Sequence, residues 1–241
     1  MLIAECCGNH LGKEEILFQM IEKAAKAGAD AVKIQSFFAD DLTEEFRPQY
    51  ERIKEQELSW DAHERFVNCA KNFNLIPITS VYSTKYLLKL SKLFKWIKIG
   101  SPHAKDKNLI KTYKAAGFKV ILSTGGGDPE VIWPLDMVMH CVSEYPHSPY
   151  ASNLRRLFSL QKLWKCPIGF SDHSDPCHSD WALPSLIAIS LGADAIEKHF
   201  TILPREETKD GAVSITEEQM KIISKFMHAS YDARQDLFNL H

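Results

Sequence analysis

Apolar residues recur along much of the chain at the spacing of an amphipathic helix. In the segment 16–25 they fall at i, i+1, i+4, i+5, i+8 and i+9, which places them on one stripe. Polar residues mark where such segments begin, because Ser59 precedes one as an N-cap and Thr216 with Gln219 forms a capping-box pattern before another. The pattern predicts helices near 12–27, 59–72, 83–92, 106–116, 152–164, 178–191 and 216–230.

A second pattern links these helices to strands. A helical segment is followed by glycine and then by an apolar run at Gly28, Gly117 and Gly192, and Asn74 stands in the same place before another run. Glycine suits the left-handed position that ends a helix, and a continuous apolar run suits a parallel strand buried on both faces. The predicted strands are 2–6, 31–35, 75–80, 95–99, 118–123, 135–141, 166–170 and 194–198.

Eight strands alternating with helices over 241 residues match the size and order of a (β/α)8 TIM barrel, an α/β fold. A doubly wound open sheet is the alternative, but no GxGxxG motif follows the first strand. The fifth helix is expected to be shortened, because only a turn at Asp128–Ile132 fits between Thr124 and Val138. No linker or low-complexity segment divides the chain, so we expect residues 1–241 to form one domain.

The composition narrows the class of protein. Lys and Arg number 29 against 31 Asp and Glu, which argues against a nucleic-acid partner. The longest apolar-leaning stretch, 182–196, is interrupted by Pro184 and Gly192, so no membrane span is expected. Six cysteines without a CxxC pair, among them the adjacent Cys6 and Cys7, are typical of reduced thiols, and no signal-peptide pattern opens the chain. These features favour a globular protein of the cytoplasm.

Polar residues gather where the predicted strands end, which is where a barrel places its chemistry. Two lysines, several hydroxyls and the glycine-rich turn 123–127 favour an anionic, phosphorylated ligand, and two histidines at neighbouring strand ends favour a divalent metal. The strand-end residues are Glu5; Lys33 and Gln35; Thr79 and Ser80; Lys98, Ser101 and His103; Ser123; His140, Ser143 and Tyr145; Ser171, Asp172 and His173; and Glu197, Lys198 and His199.

Each of these signals has a structural alternative. Lys33 or Lys98 alone is typical of a surface residue, and His173 alone of a hydrogen-bonded structural histidine. Glu5 alone fits a core carboxylate paired with Lys33, and the glycines at 125–127 fit a flexible turn. Only the agreement of eight strand ends favours the functional interpretation. Five further histidines are interpreted as surface residues without a role, at positions 10, 63, 178, 228 and 241.

These strand ends resemble the sialic acid synthase family, the phosphoenolpyruvate-dependent synthases of N-acetylneuraminate and its relatives. The resemblance covers nearly the whole chain in order, and the combination of motifs is highly specific. The matching segments are AECCGNHLG (4–12), AGADAVKIQ (27–35), KIGS (98–101), LSTG (122–125), HCVSEYP (140–146), GFSDH (169–173) and EKHFT (197–201).

The resemblance implies a barrel that binds phosphoenolpyruvate and a divalent ion, Mn²⁺ or Mg²⁺. His173 and His199 align with its metal ligands, Glu5 with a carboxylate at the acceptor sugar, Tyr145 with a sugar-side contact and Asp210 with an acid of the last loop. Gln35 is expected to orient Lys33. The residues that align with phosphate or carboxylate contacts are Lys33, Lys98, Ser80, Ser101, Ser123, Ser143 and Ser171.

The implied reaction joins carbon 3 of phosphoenolpyruvate to an open-chain aldehyde such as N-acetylmannosamine. The metal polarises the aldehyde oxygen, water adds at carbon 2, and phosphate leaves with its C–O bond broken. Glu5 suits the role of general acid or base in these proton transfers. The implied product is a sialic-acid-like 2-keto-3-deoxy acid.

The chain departs from the family pattern on the sugar side. His103 stands where Glu is usual, with Pro102 where Gly is usual, so its expected role is a proton shuttle or a further metal ligand. The chain ends at His241, and we expect the C-terminal antifreeze-like domain, which supplies an arginine to the acceptor's N-acetyl group, to be absent. Both departures predict an altered, smaller or non-acetylated acceptor.

Three points stay open at this level. A non-catalytic barrel that binds phosphoenolpyruvate and metal is one alternative function, and a metal-dependent pyruvate aldolase is another. Because family dimers depend on the C-terminal domain, a monomer and a homodimer fit the sequence equally well.

Overall fold

A closed barrel of parallel strands forms the centre of the molecule. The computed structural model describes residues 1–125, 127 and 134–238, the last five of these by their backbone alone. In this part of the chain each strand pairs with its sequence neighbours and the last strand pairs with the first. Strands β1 to β8 are Leu2–Glu5, Ala31–Ser36, Ile76–Val81, Trp96–Ile99, Lys119–Ser123, Met137–Cys141, Ile168–Asp172 and Ala195–His199. The predicted barrel is confirmed.

Helices follow most strands and surround the barrel. Two short helices between β2 and the next long helix were not predicted. The expected fifth-helix turn at Asp128–Ile132 lies outside the described residues. Helices α1 to α9 are Glu14–Lys26, Ala39–Leu42, Tyr50–Lys54, Trp60–Asn72, Leu87–Leu93, Lys107–Ala115, Arg155–Leu163, Leu183–Ser190 and Glu217–Phe238.

The helix-to-strand junctions have the predicted backbone. Gly28, Gly117 and Gly192 have φ angles of 82°, 85° and 93°, and Asn74 has a φ of 58°. This left-handed region carries a steric cost for a residue with a β-carbon, a cost that glycine avoids and asparagine tolerates. Each of these residues turns the chain from the end of a helix into a strand of the barrel.

Side chains that point into the barrel change character along its axis. A small apolar cluster fills one half of the interior, with Ile3, Ile78 and Met139 among its members. Two residues further along the same strands, the inward positions are polar, as at Glu5 and Ser80. Because side chains alternate between the two faces of a strand, this spacing places the polar residues directly above the apolar cluster, at the carboxyl ends of the strands.

Two histidines that the sequence analysis placed on the surface are buried. His10 is 2% exposed and His63 is fully buried. The Nε2 atom of His63 lies 2.8 Å from the Ser36 hydroxyl of β2, and its Nδ1 lies 2.8 Å from the carbonyl of Ser59. The surface interpretation of both residues was wrong because such partners on neighbouring elements do not show in a local pattern.

No helix among the described residues has both the length and the apolar run that crossing a bilayer requires. The cysteines at positions 6, 7, 69, 141, 166 and 177 are free thiols in this structure.

Candidate active site

A cavity of about 460 Å³ opens at the carboxyl ends of the strands. Its walls bring together nearly all of the site residues that the sequence analysis selected, from every strand end of the barrel. Among the residues that were given a role, Ser171 is the exception, and the strand-end residues Thr79, His140, Asp172 and Lys198 do not line the cavity either. The selected residues that line the cavity are Glu5, Lys33, Gln35, Ser80, Lys98, Ser101, His103, Ser123, Ser143, Tyr145, His173, His199 and Asp210.

Four buried charges form the floor of this cavity, and we call them the charge cluster: Glu5, Lys33, Lys98 and Glu197. Lys33 contacts Oε2 of Glu5 and lies 3.7 Å from Oε2 of Glu197. The Nζ atom of Lys98 lies 2.5 Å from Oε1 of Glu197. Buried charges are tolerated only when they are paired, and here two carboxylates balance two ammonium groups. The pairing of Glu5 with Lys33 also follows from the strand register, which sets the two residues side by side.

The environment shifts the protonation of this cluster. Burial lowers the pKa of the Lys33 ammonium to about 7, although the neighbouring Glu197 carboxylate opposes the shift. Burial also disfavours the charge of Glu197, but Lys33 and Lys98 outweigh that effect and hold the pKa of this carboxyl below its usual value. A small change in the surroundings of Lys33 can therefore shift its side chain between the ammonium and the neutral amine near neutral pH.

Hydroxyl groups surround the two lysines. The Oγ of Ser80 accepts a hydrogen bond from Lys33 at 3.0 Å, while Gln35 lines the adjoining wall. Behind the wall, the Ser171 hydroxyl donates to Oε1 of Glu197 at 2.8 Å and lies 3.4 Å from the Nζ of Lys98. These contacts fix both ammonium groups in direction.

A second group of donors lies at the ends of β4, β5 and β6. The amide of Gly125 donates to the Ser101 hydroxyl at 3.2 Å. A β-carbon at Gly125 would lie 2.6 Å from both Cys141 Sγ and Ser143 Oγ, so the backbone approaches this wall as only glycine can. The buried Ser123 hydroxyl has no hydrogen-bond partner among the described residues, which leaves it available to a ligand.

The two imidazoles lie at the ends of β7 and β8 and also line the cavity. The rings of His173 and His199 are 5.4 Å apart between centroids. The Nδ1 of His173 donates to the carbonyl of Val142 at 2.9 Å, which leaves Nε2 as the acceptor of the neutral ring. Tyr145 stacks on His173 at 4.0 Å and donates its hydroxyl to that Nε2 at 2.8 Å.

The residues present fit a divalent metal ion. Burial lowers the pKa of His199 to about 4 and that of His173 well below its usual value, so both rings are neutral at pH 7, the form that binds a metal. Buried Nδ1 of His199 has no hydrogen-bond partner among the described residues. Ligand atoms of Cys7, His199 and Asp210 lie within 4.8 Å of one another. Imidazole, carboxylate and thiol are all ordinary ligands of such ions.

The remaining selected residues lie toward the opening. The backbone amide of Asp210 donates to Asn9 Oδ1 at 3.2 Å, and the Asn9 side-chain amide donates to the carbonyl of Phe200 at 2.9 Å. Asn9 thereby ties the loop after β8 to the loop after β1. His103 closes a short 3-10 turn after β4, and its ring meets Tyr82 edge-on at 6.0 Å between centroids.

Several cavity residues were given no role from the sequence, namely Tyr82, Cys141, Lys209 and the strand-end residue Glu197, and Cys7 lies beside them. A period of two would have found four of these five residues, since Cys141 precedes Ser143 by two positions. Glu197 precedes the inward-facing His199 by two positions, Tyr82 follows Ser80 by two, and Cys7 follows Glu5 by two.

A comparison with known protein families shows the family to which this chain belongs. The NeuB family profile matches residues 20–237. The chain belongs to the NeuB family. This membership confirms the resemblance to sialic acid synthases and the predicted enzyme class, a condensing transferase.

Named relatives agree with this assignment. The chain is 30% identical to a pseudaminic acid synthase of Campylobacter jejuni over 91% of its own length and 70% of the relative. It is 29% identical to an N,N'-diacetyllegionaminic acid synthase of the same organism, over 92% and 74%. A crystal structure of N-acetylneuraminic acid synthetase from Leptospira borgpetersenii, in complex with citrate, superposes with a TM-score of 0.87 at 25% identity, covering 96% of this chain and 84% of that one.

Proposed function

We propose that this NeuB-family chain joins phosphoenolpyruvate to a sugar aldehyde and releases inorganic phosphate, with help from a divalent metal ion. The observation that carries this proposal is that one cavity is lined by two sets of groups. Lys33, Lys98 and several hydroxyls form the lysine half of the set, and His173 with His199 forms the imidazole half. The product is a 2-keto-3-deoxy sugar acid, in keeping with the sialic acid-type synthases among its relatives.

The lysine half suits the carboxylate and phosphate of phosphoenolpyruvate. The resting charge cluster is balanced, so a bound anion competes with Glu5 and Glu197 for the two ammonium groups. Because the pKa of Lys33 lies near 7, an added negative charge nearby favours its protonated form. The unpartnered Ser123 hydroxyl supplies a further donor to the anion, and the amide of Gly125 holds the Ser101 hydroxyl at the same wall.

The imidazole half suits the aldehyde. A divalent ion held here would polarise the aldehyde oxygen as a Lewis acid. The Nδ1–H of His173 is committed to the Val142 carbonyl, so its Nε2 is the nitrogen that would bind the ion, in place of the Tyr145 hydroxyl that it accepts now. His199 and Asp210 face each other with Nδ1 and Oδ2 3.7 Å apart. We place Tyr145 and His103 at the sugar, because both line the cavity above these groups.

The proposed reaction needs a base for the proton of the attacking water, and Glu5 suits this role. Carbon 3 of phosphoenolpyruvate bonds to the aldehyde carbon, the aldehyde oxygen takes up one proton, and water adds at carbon 2 before phosphate leaves. In our proposal Glu5 accepts the proton of that water. Its carboxylate is buried and oriented by the amide of Cys7, which donates to Oε1 at 2.6 Å. An oriented base next to the bound anion is the geometry that general-base catalysis requires.

The proposal is tested by incubating the purified chain with phosphoenolpyruvate, a divalent ion and a panel of acetylated and non-acetylated aldoses. We expect aldehyde-dependent phosphate release, lost in Lys98→Met and retained in Lys95→Met, which removes an exposed lysine just before the same strand. Tight binding of phosphoenolpyruvate without release on any aldose would overturn the proposal in favour of a non-catalytic barrel. Product formation from pyruvate instead would overturn it in favour of an aldolase.

A further inference from the structure

Cys7 has an unusual backbone for a residue with a side chain. Its φ is 38°, in the left-handed region that favours glycine. The loop that holds it is tied down on both sides, because the Cys7 amide donates to Glu5 at 2.6 Å and the Asn9 amide donates to the carbonyl of Cys6 at 3.0 Å. A conformation of this kind costs free energy and persists only where its surroundings enforce it.

The side chain of Cys7 points at two metal-binding groups. Its Sγ, a ring nitrogen of His199 and a carboxylate oxygen of Asp210 all lie within 4.8 Å of one another. Cys7 is 1% exposed. A buried thiol that served only as a small apolar group would be expected to pack among apolar side chains, whereas this one faces a carboxylate and an imidazole.

A second observation at the same place points to a missing partner. The side chain of His199 is 7% exposed, and its Nδ1 has no hydrogen-bond partner among the described residues, although it lies 3.7 Å from Oδ2 of Asp210. Leaving such a nitrogen buried without a partner is unfavourable. A cation between the three groups would give this nitrogen a partner and would take the place of the hydrogen bond between the Cys7 thiol and Asp210.

We propose that Cys7 is a thiolate ligand of the divalent ion, together with His199 and Asp210, and that it makes the site prefer Zn²⁺, Fe²⁺ or Co²⁺ over Mn²⁺ and Mg²⁺. On binding, the S–H proton passes to solvent and a metal–sulfur bond forms. Thiolate is a soft ligand that favours these ions, whereas carboxylate and water suit Mg²⁺ and Mn²⁺. The proposal rests on the proposed function only in that the same ion assists the aldehyde, and it replaces the expectation of Mn²⁺ or Mg²⁺.

The test is to load the purified chain with Co²⁺ and record the near-ultraviolet absorption of a thiolate-to-cobalt charge transfer. We expect the band in the wild type and in Cys6→Ala, which removes the adjacent thiol, and its loss in Cys7→Gly. Glycine suits the positive φ, so this variant also avoids the strain of the native residue. We expect the affinity of Cys7→Gly for Zn²⁺ to fall about 10- to 100-fold, and that for Mn²⁺ to change much less.

A charge-transfer band that survives in Cys7→Gly, or that is absent from the cobalt-loaded wild type, would overturn the ligand assignment. The band is recorded without substrate, so it is independent of turnover. A band that depends on Cys7 in a protein that releases no phosphate would support thiolate ligation while refuting the synthase proposal. Phosphate release by a protein without the band would refute thiolate ligation while supporting the synthase proposal.

Discussion

Lys98 and Glu197 meet across the barrel interior from strands on opposite sides, with Nζ and Oε1 2.5 Å apart. Removing one partner would leave the other as a buried charge with fewer partners. We expect Lys98→Met to destabilise the fold by roughly 3–5 kcal/mol, as measured by urea denaturation.

The paired variant separates the structural role of this contact from its role in turnover. Lys98→Met combined with Glu197→Leu removes both charges, so most of the lost stability should return. Aldehyde-dependent phosphate release should not return, because the anion has lost a cation. Recovery of activity in the double variant would show that Lys98 serves the fold alone.

Substitution of His103 tests whether this residue contacts the sugar aldehyde. We expect His103→Ala to raise the KM for the aldehyde about tenfold, the loss of about one hydrogen bond, and to leave the KM for phosphoenolpyruvate nearly unchanged. Steady-state kinetics with each substrate varied in turn measures the two values. Equal increases in both would place His103 outside the acceptor site.

Substitution of Gly125 tests the proposed binding site for the anion. In Gly125→Ala the new methyl group would lie 2.6 Å from Cys141 Sγ and Ser143 Oγ, so these groups must move. We expect the KM for phosphoenolpyruvate to rise about tenfold, in proportion to an overpacking cost of about 1–3 kcal/mol. Gly100→Ala is the control, since its β-carbon would lie 3.7 Å from the nearest atom, in ordinary contact. An unchanged KM in Gly125→Ala would contradict the proposed anion site.

His63 gives the fold a pH dependence away from the site. Burial lowers its pKa below the usual 6.5, although a hydrogen bond to Ser59 opposes the shift. The unfolded chain therefore binds the proton at higher pH than the folded chain, so stability is fully present above pH 6.5 and is lost as the pH falls below it. Burial lowers the pKa of the nearby His10 to about 4, which adds to the same slope.

We expect the free energy of unfolding to fall by up to about 1.4 kcal/mol per pH unit for each of these two residues below pH 6.5. Urea titrations at several pH values should show a shallower slope in His63→Gln. His228→Gln, on the exposed side of α9, should keep the wild-type slope. The same slope in both variants would rule out His63 as its source.

The fold was predictable because its signals are local. Gly28, Gly192 and Asn74 mark helix ends by their backbone requirement, and the N-cap of α4 is confirmed by the hydrogen bond from the Ala62 amide to the Ser59 hydroxyl. The short helices α2 and α3 were missed because four or five residues are too few to show a helical period.

The site was only partly predictable because pairing across the barrel is not local. Glu197 and Lys198 are adjacent in sequence, yet Glu197 points into the cavity and Lys198 points outward to Asp172, with Nζ and Oδ2 3.3 Å apart. Alternation along a strand separates the two roles, but only the closed barrel shows which carboxylate meets which lysine. Cys7 was given no role from the sequence because its polar neighbours come from the last strand and the loop after it.

The pairing of β1 with β8 also determines when, during synthesis and folding of the chain, the charge cluster can form. Glu5 belongs to the first strand of the barrel to be synthesised and Glu197 to the last, so the ring cannot close over these charged groups before β8 has been made. Dehydration of the charge cluster therefore waits for the closure of the ring. Fragments that stop before β8 would lack the cluster altogether.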